Sequence, residues 1–217
     1  MIDSYKTVGE NTYEMIKKDI IFGNLKPLKK LKLNELKINY KTSISTLREI
    51  LSRLSGDGFV VYEEQKGFYV SPVSESDLKE IANLRILIES HALKYSLENS
   101  NPDWEGSLLA AHHKLNLYEN KLLKNKTEER SNWKRYDSEF HQTLVRNCNS
   151  KNLIELHKLI FDKYLRYQLL VLTFRGSGSI EEHKKLLDYS LERNFKKAQM
   201  VLEEHIQNGI IHANKSF

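Results

Sequence analysis

Two polar side chains that could bind a metal stand four residues apart in the second half of the chain. Asp137 and His141 have the i, i+4 spacing that places both side chains on one face of an α-helix. Two further histidines, His183 and His205, follow in later segments. One carboxylate and three imidazoles can chelate a divalent transition metal and leave positions open for water or a ligand. On spacing alone, these residues could equally be solvated or share buried hydrogen bonds.

The segments that carry these four residues have the composition of helices. The chain of 217 residues contains only three prolines and nine glycines, which favours helix. We expect six helices beyond Asp77, over about 77–99, 103–124, 128–147, 151–173, 179–192 and 194–212. An antiparallel bundle of these helices could bring the candidate metal ligands together in its core.

The first seventy residues show a different pattern, in which three helical segments precede a β-hairpin. Asn34 is a candidate cap for the second helix, and either Ser43 or Thr46 for the third. Two β-branched and aromatic runs, 59–62 and 67–70, then flank a polar turn. This order predicts a winged helix-turn-helix, in which the third helix lies in the major groove of DNA.

Basic residues concentrate in this N-terminal segment. Eight Lys or Arg side chains lie between Gly23 and Arg53 against two acidic ones, whereas residues 73–217 are close to neutral. The formal charge of the whole chain is +5. A basic segment on a near-neutral remainder favours a partner with phosphates, although a solvated lysine-rich face would explain the charge equally well.

Particular side chains are candidates for DNA contacts. Short hydroxyl side chains at a helix N-terminus suit phosphate and base-edge contacts, and Arg48 could reach a guanine or a phosphate. Gly67 would let the hairpin backbone approach DNA closely. Singly, each could be only a helix cap, a surface ion pair or a turn residue. Together they predict DNA contacts by Lys41, Thr42, Ser43, Ser45, Thr46, Arg48, Lys66 and Gly67.

Composition argues against several classes of protein. No apolar run is long enough for a membrane-spanning helix, and the first residues lack the apolar stretch of a secretory signal. The single cysteine, Cys148, cannot form an internal disulfide or a cysteine-rich zinc site. We therefore expect a cytoplasmic, mainly α protein, with a winged helix-turn-helix domain over 1–72 and an all-helical domain over 77–217.

Several motifs in the N-terminal segment resemble the GntR family of bacterial transcription regulators. These motifs are Gly23-Asn24-Leu25-Lys26-Pro27, the run from Leu47 to Leu54, Gly58-Phe59-Val60 and Lys66-Gly67-Phe68-Tyr69-Val70. The remainder of the chain resembles the FCD-type effector domain of the FadR subfamily, and is most similar to glutarate-responsive, carbon-starvation regulators. The family usually has Arg where this chain has Ile44, and Gly where it has Leu28. Because a DNA-contacting arginine is lost, no operator preference carries over.

The resemblance implies a DNA-binding, metabolite-responsive transcription regulator, acting as a repressor, and not an enzyme. It also implies that Asp137, His141, His183 and His205 bind one divalent metal ion. Zinc is the default for this ligand set, and nickel or manganese also fits. The effector would be a small carboxylate, such as the diacid glutarate, bound at the metal.

The resemblance further assigns two arginines to the effector. Arg85 and Arg166 match recurring arginines of this effector domain, and either could clamp the far carboxylate of a diacid. The alternative for Arg85 is an ion pair with Glu89, one turn further along the same helix. For Arg166, the alternative is likewise an internal ion pair.

Further hypotheses concern the oligomeric state of the protein and the class of its activity. We expect a homodimer, because a single winged helix reads only one short half-site of an operator. A metal-dependent hydrolase with an Asp/His3 site is the alternative function, but it leaves the basic N-terminal segment unexplained. A helical bundle that only binds other proteins explains neither group of residues.

Overall fold

The computed structural model describes residues 7–170 and 174–213. The chain divides into two compact units between Ser74 and Glu75. The first unit contains three helices and a two-stranded hairpin, and the second contains helices. This architecture confirms the predicted mainly α fold with an N-terminal winged helix-turn-helix.

The first unit follows the predicted order of elements. Its helices are α1 (Val8–Ile21), α2 (Leu33–Tyr40) and α3 (Ile44–Gly56), and its strands are β1 (Val60–Glu63) and β2 (Gly67–Val70). Apolar side chains at helical spacing form a small core between them. The most deeply buried are Ile16, Ile20, Leu47, Leu51, Leu54 and Val70.

Side-chain caps decide where α1 and α3 begin. In α1, the Glu10 N–H donates to the Thr7 hydroxyl, and the Thr7 N–H donates to the Glu10 carboxylate, which is a capping box. This box starts the helix at Val8. In α3, the Thr46 N–H donates to the Ser43 hydroxyl at 3.0 Å, so Ser43 is the cap and Thr46 lies inside the helix.

The predicted cap of α2 is wrong. Asn34 lies in the first turn of the helix, and Lys32 occupies the capping position without a side-chain hydrogen bond. The hairpin explains this start, because the Leu31 N–H donates to the Phe68 carbonyl at 2.8 Å and fixes the chain just before the helix. The Lys32 ammonium pairs with Glu35 at 2.8 Å in the first turn.

The hairpin is antiparallel and pairs Val60 with Val70 and Glu63 with Gly67. β1 begins one residue later than predicted, because the Phe59 N–H donates to the Leu54 carbonyl of α3 at 2.9 Å. Lys30 forms an isolated bridge to Tyr69, which attaches the segment before α2 to the outer edge of β2.

The second unit is helical, as predicted. Six long helices and one short 3-10 turn (Thr127–Glu129) lie within its described residues. The bounds differ from prediction by a few residues, and the predicted stretch 171–173 lies outside the described residues. The helices are α4 (Glu75–Glu98), α5 (Pro102–Leu123), α6 (Arg130–Val145), α7 (Lys151–Leu170), α8 (Ser177–Leu191) and α9 (Phe195–Ala213).

Packing in this unit brings the candidate ligand-bearing helices together. Helix α4 packs against α7 and α9, α5 packs against α6 and α8, and α8 packs against α9. Trp104 of α5 is buried and donates its ring N–H to the Thr143 carbonyl of α6 at 2.8 Å. The hydrophobic core of the second unit therefore lies between its helices, on the faces by which α6, α8 and α9 pack against the others.

The left-handed backbone of Leu28 allows a prediction about the free energy of unfolding. Its φ of 63° is left-handed and its side chain is 69% exposed, and an L-residue pays about 1–2 kcal/mol for this conformation. Leu28→Gly removes that cost, although the freer unfolded chain offsets about 0.4–1 kcal/mol of the gain. We expect the free energy of unfolding in urea to rise by about 0.5–1 kcal/mol.

The matched control is Lys26→Gly, at an exposed residue two positions away without a positive φ. It should lower the free energy of unfolding by about 0.4–1 kcal/mol, because it only loosens the unfolded chain. Loss of stability in both variants would contradict the role assigned to the Leu28 backbone.

Candidate metal centre and nucleic-acid interface

The four predicted metal ligands converge in the second unit. Asp137 and His141 lie on α6, His183 on α8 and His205 on α9. Each offers one donor atom, and these atoms all lie within 4.8 Å of one another. All four residues are buried. The structure thus places residues that are up to 68 positions apart around one point.

A carboxylate holds each of the three histidines. The Nδ1 atom of His183 donates to Glu119 at 2.7 Å, and that of His205 donates to Glu182 at 2.8 Å. The Nδ1 atom of His141 donates to Glu89. A carboxylate that accepts from Nδ1 fixes the ring and leaves Nε2 as the metal donor.

The free donor atoms fit a metal ion. The Nε2 atoms of His141 and His183, and the Oδ2 atom of Asp137, are buried and have no hydrogen-bond partner within the described chain. Unpaired buried polar atoms are costly. A divalent transition metal would satisfy them, since one carboxylate and three neutral imidazoles are ligands it prefers.

The pKa values of the candidate ligands reflect this burial and crowding. Burial alone would raise the pKa of Asp137, but the charge of Lys134 and the neighbouring imidazoles of His183 and His141 hold it well below its usual range. Burial would lower the pKa of His183, but Glu119 and Asp137 raise it to about 9. Burial, with repulsion from His183, lowers the pKa of His205 to about 3.

Sequence reasoning missed the supporting carboxylates. The sequence predicts Glu89 only as a partner for Arg85, and it predicts no role for Glu119 or Glu182. Glu119 is 64 residues from His183, and Glu89 is 52 residues from His141. No local spacing connects such pairs, so only the packed structure could find them.

The two predicted effector arginines take other positions. Arg85 is fully buried, its Nε atom donates to Glu89 at 2.9 Å, and its guanidinium lies 4.4 Å from the Phe161 ring centroid. Arg166 is also buried, with Tyr167 and Asp77 among its polar neighbours. Neither is among the described residues that line the cavity beside the candidate metal ligands.

Two basic side chains, Lys134 and Arg175, also line that cavity. It has a volume of about 20 Å³ and is mostly enclosed, with room for about one water molecule. The Arg175 guanidinium binds Glu182 and lies 3.1 Å from the Nδ1 atom of His205. Burial lowers the pKa of Lys134 to about 7. The lining residues are Trp133, Lys134, Asp137, Tyr164, Gln168, Arg175, Ser179, His183, His205 and Gly209.

The first unit carries the predicted DNA contacts at its surface. Arg48 is exposed on α3 and lines a groove of about 680 Å³ between α2, α3 and the hairpin, together with Lys66 and Gly67. Gly67 has a φ of 98°, which favours glycine. Lys30 and Lys32, which the sequence prediction did not name as contacts, line the same groove.

The remaining predicted contacts lie at the start of α3. Lys41 has a left-handed φ of 50° and ends α2. Ser43 caps α3, and its hydroxyl contacts that of Thr46 at 2.8 Å. Lys41, Ser43 and Ser45 are exposed, whereas Thr42 and Thr46 are half-buried. Ile44, which replaces the arginine usual in the family that the motifs resemble, lines the groove beside Arg48.

Two family models match this chain. The FCD domain matches residues 80–208, and the gntR family of bacterial regulatory proteins matches residues 8–70. The chain belongs to the GntR family and carries an FCD domain.

Known relatives cover nearly the whole chain. It is 28% identical over 211 residues to the HTH-type transcriptional regulator BphR of Paraburkholderia xenovorans (strain LB400), covering 96% of this chain and 86% of that protein. It is 29% identical over 201 residues to the HTH-type transcriptional repressor GlaR of Escherichia coli (strain K12), covering 89% and 90%. The structure of E. coli McbR/YncC has a TM-score of 0.82 at 20% identity, covering 97% and 98%, and shares the fold.

These relatives establish the class of the protein. It is a DNA-binding transcriptional regulator, from a family whose members bind operator DNA and small-molecule effectors and typically form dimers. The hydrolase alternative finds no support in these relatives, which are named as regulators rather than enzymes. Within the residues that the structure describes, no helix is both long and apolar enough to cross a membrane.

The candidate metal centre predicts a graded loss of metal. His183→Ala removes a donor and should abolish stoichiometric zinc in the purified, dialysed protein. Glu119→Gln leaves the donor but loosens its support, and should weaken zinc affinity by about 10- to 100-fold. Elemental analysis and competition with a chelator measure the two effects. His113→Ala, at an exposed histidine of α5, is the control, and equal zinc in all four proteins would refute the site.

Proposed function

We propose that this protein is a transcriptional repressor whose affinity for DNA is controlled by a small carboxylate bound at a metal ion in the helical unit. The observation that carries this proposal is the set of three histidines whose Nδ1 atoms are held by Glu89, Glu119 and Glu182. Such support orients the Nε2 atoms toward one point, as a metal requires.

Zinc is the first candidate for the metal, with nickel and manganese as alternatives. Four protein ligands alone would close a tetrahedral zinc site. An effector carboxylate therefore needs a centre of five or six ligands, in which water or an anion fills the open positions. Asp137, His141, His183 and His205 would hold the ion, and the ion would supply a positive charge that favours an anionic ligand.

The effector we propose is a small diacid such as glutarate. A cavity of about 20 Å³ cannot admit a diacid unless its walls move apart. A ligand that binds only a widened cavity binds one conformation in preference to another, which is the requirement for an effector that shifts an equilibrium. The relative named GlaR is a transcriptional repressor, and this supports repression as the function of this protein.

Gel-shift titration tests the proposal. The zinc-loaded protein should bind duplex DNA from its own promoter region, and glutarate should weaken that binding, whereas the chelated protein should not respond to glutarate. Acetate and succinate test how long the carboxylate ligand must be. DNA binding that no carboxylate alters, with zinc fully bound, would leave a DNA-binding regulator without this effector mechanism.

Replacement of Arg48 should lower the affinity for operator DNA. Because it is exposed in the groove between α3 and the hairpin, Arg48→Ala should cost about 1–3 kcal/mol in binding if Arg48 contacts a base. Fluorescence anisotropy with an operator duplex measures this, and both affinities should fall steeply with salt as counterions are released. The control is Arg146→Ala, at an exposed arginine of the helical unit. Unchanged affinity in the Arg48 variant would leave this residue with only a structural role.

The protein should form a homodimer. A single winged helix covers only one half-site, and two-fold pairing supplies the second. The outer face of α4 exposes Leu84 and Leu87, at 45% and 67%, which offers apolar surface for such pairing. Sedimentation at micromolar concentration should give a mass near twice 25.5 kDa. A monomer both with and without operator DNA would contradict the dimer.

A further inference from the structure

Lys134 is a buried lysine that forms no close ion pair in the described chain. It lies on α6, three residues before Asp137, and only 2% of it is exposed. Its ammonium lies 3.8 Å from the centroid of the Trp133 ring. The negative charge of Asp137 acts on it, but the two groups do not form an ion pair. Lys134 lines the cavity that also contains Asp137, His183 and His205.

The other cations near this cavity are already paired. The Arg85 guanidinium binds Glu89, and the Arg175 guanidinium binds Glu182 through both of its terminal nitrogens. An ammonium ion loses its hydration when it is buried, and a neutral ring face replaces little of it. Within the described residues, Lys134 is therefore the basic side chain of this cavity that makes no close ion pair.

We propose that Lys134 binds the carboxylate of the effector that does not contact the metal, and so makes the site selective for dicarboxylates over monocarboxylates. This inference rests on the proposed function. It transfers the role predicted for Arg85 or Arg166 to a residue that lines the cavity.

The position of Lys134 on α6 suits this role. Residues three apart on a helix share a face, with Cβ atoms about 5–6 Å apart. The Lys134 ammonium and the metal held by Asp137 would therefore bind the two ends of one short ligand. A few carbon atoms between two carboxylates span such a distance, whereas a monocarboxylate would leave the ammonium without an anion.

Calorimetry on the zinc-loaded, full-length protein separates the two ends of the ligand. Glutarate and pentanoate have the same number of carbon atoms, and both offer one carboxylate to the metal. The wild type should bind glutarate at least tenfold more tightly than pentanoate. In zinc-loaded Lys134→Met, this ratio should fall to about one through a loss of glutarate affinity, and Lys134→Arg should keep part of the preference. Lys158→Met, at an exposed lysine of α7, is the control and should keep the full ratio.

Other outcomes overturn the inference in distinguishable ways. A full glutarate preference in Lys134→Met would show that another residue binds the second carboxylate. Equal weakening of both acids would show that Lys134 acts on the metal-bound carboxylate or on the fold. A wild type that binds both acids equally would reject dicarboxylate selectivity but keep the metal-bound effector. A zinc-loaded wild type that binds neither acid would reject the proposed effector mechanism as well.

Discussion

Buried carboxylates bonded to histidines are the interaction on which the helical unit depends. Glu89 of α4, Glu119 of α5 and Asp137 of α6 are almost completely shielded from water. Such groups are tolerated only with partners. Arg85 of the same helix is one partner of Glu89, and the histidine partners come from other helices. Glu89 accepts from His141 of α6 and lies 3.3 Å from His157 of α7. The remaining contacts extend the network to α8 through His183 and to α9 through His205, so that all six long helices contribute to it.

Much of the fold could be predicted because its signals are local. Helical periodicity and the scarcity of proline gave the helices of the second unit, and the change to alternating β-branched and aromatic residues gave the hairpin. Errors occurred where tertiary contacts set the ends of elements. The hairpin contact of Leu31 starts α2 without the expected Asn34 cap, and the backbone hydrogen bond from Phe59 to Leu54 delays β1. The Thr7–Glu10 capping box was readable in the sequence and was missed.

The residues of the candidate site likewise fall into those that local spacing predicts and those that only tertiary packing brings together. Asp137 and His141 share a helical face, so their proximity follows from spacing, and resemblance to a family added His183 and His205. Nothing in the spacing indicates which buried cation faces the cavity. Arg85 and Lys134 each have a carboxylate one turn away, but Arg85 forms an ion pair with Glu89, whereas Lys134 and Asp137 interact only at longer range. The difference depends on the direction of the side chains inside the bundle.

A metal ion held by α6, α8 and α9 would also link folding to metal supply. An ion bound only by the native arrangement would stabilise it by mass action, by about 2.7 kcal/mol when free metal exceeds the dissociation constant a hundredfold. That is a large part of the 5–15 kcal/mol that holds an average domain folded. The amount of folded regulator in the cell would then follow the free concentration of the ion, before any effector arrives. Starvation for that metal would lower operator occupancy by depleting the protein itself.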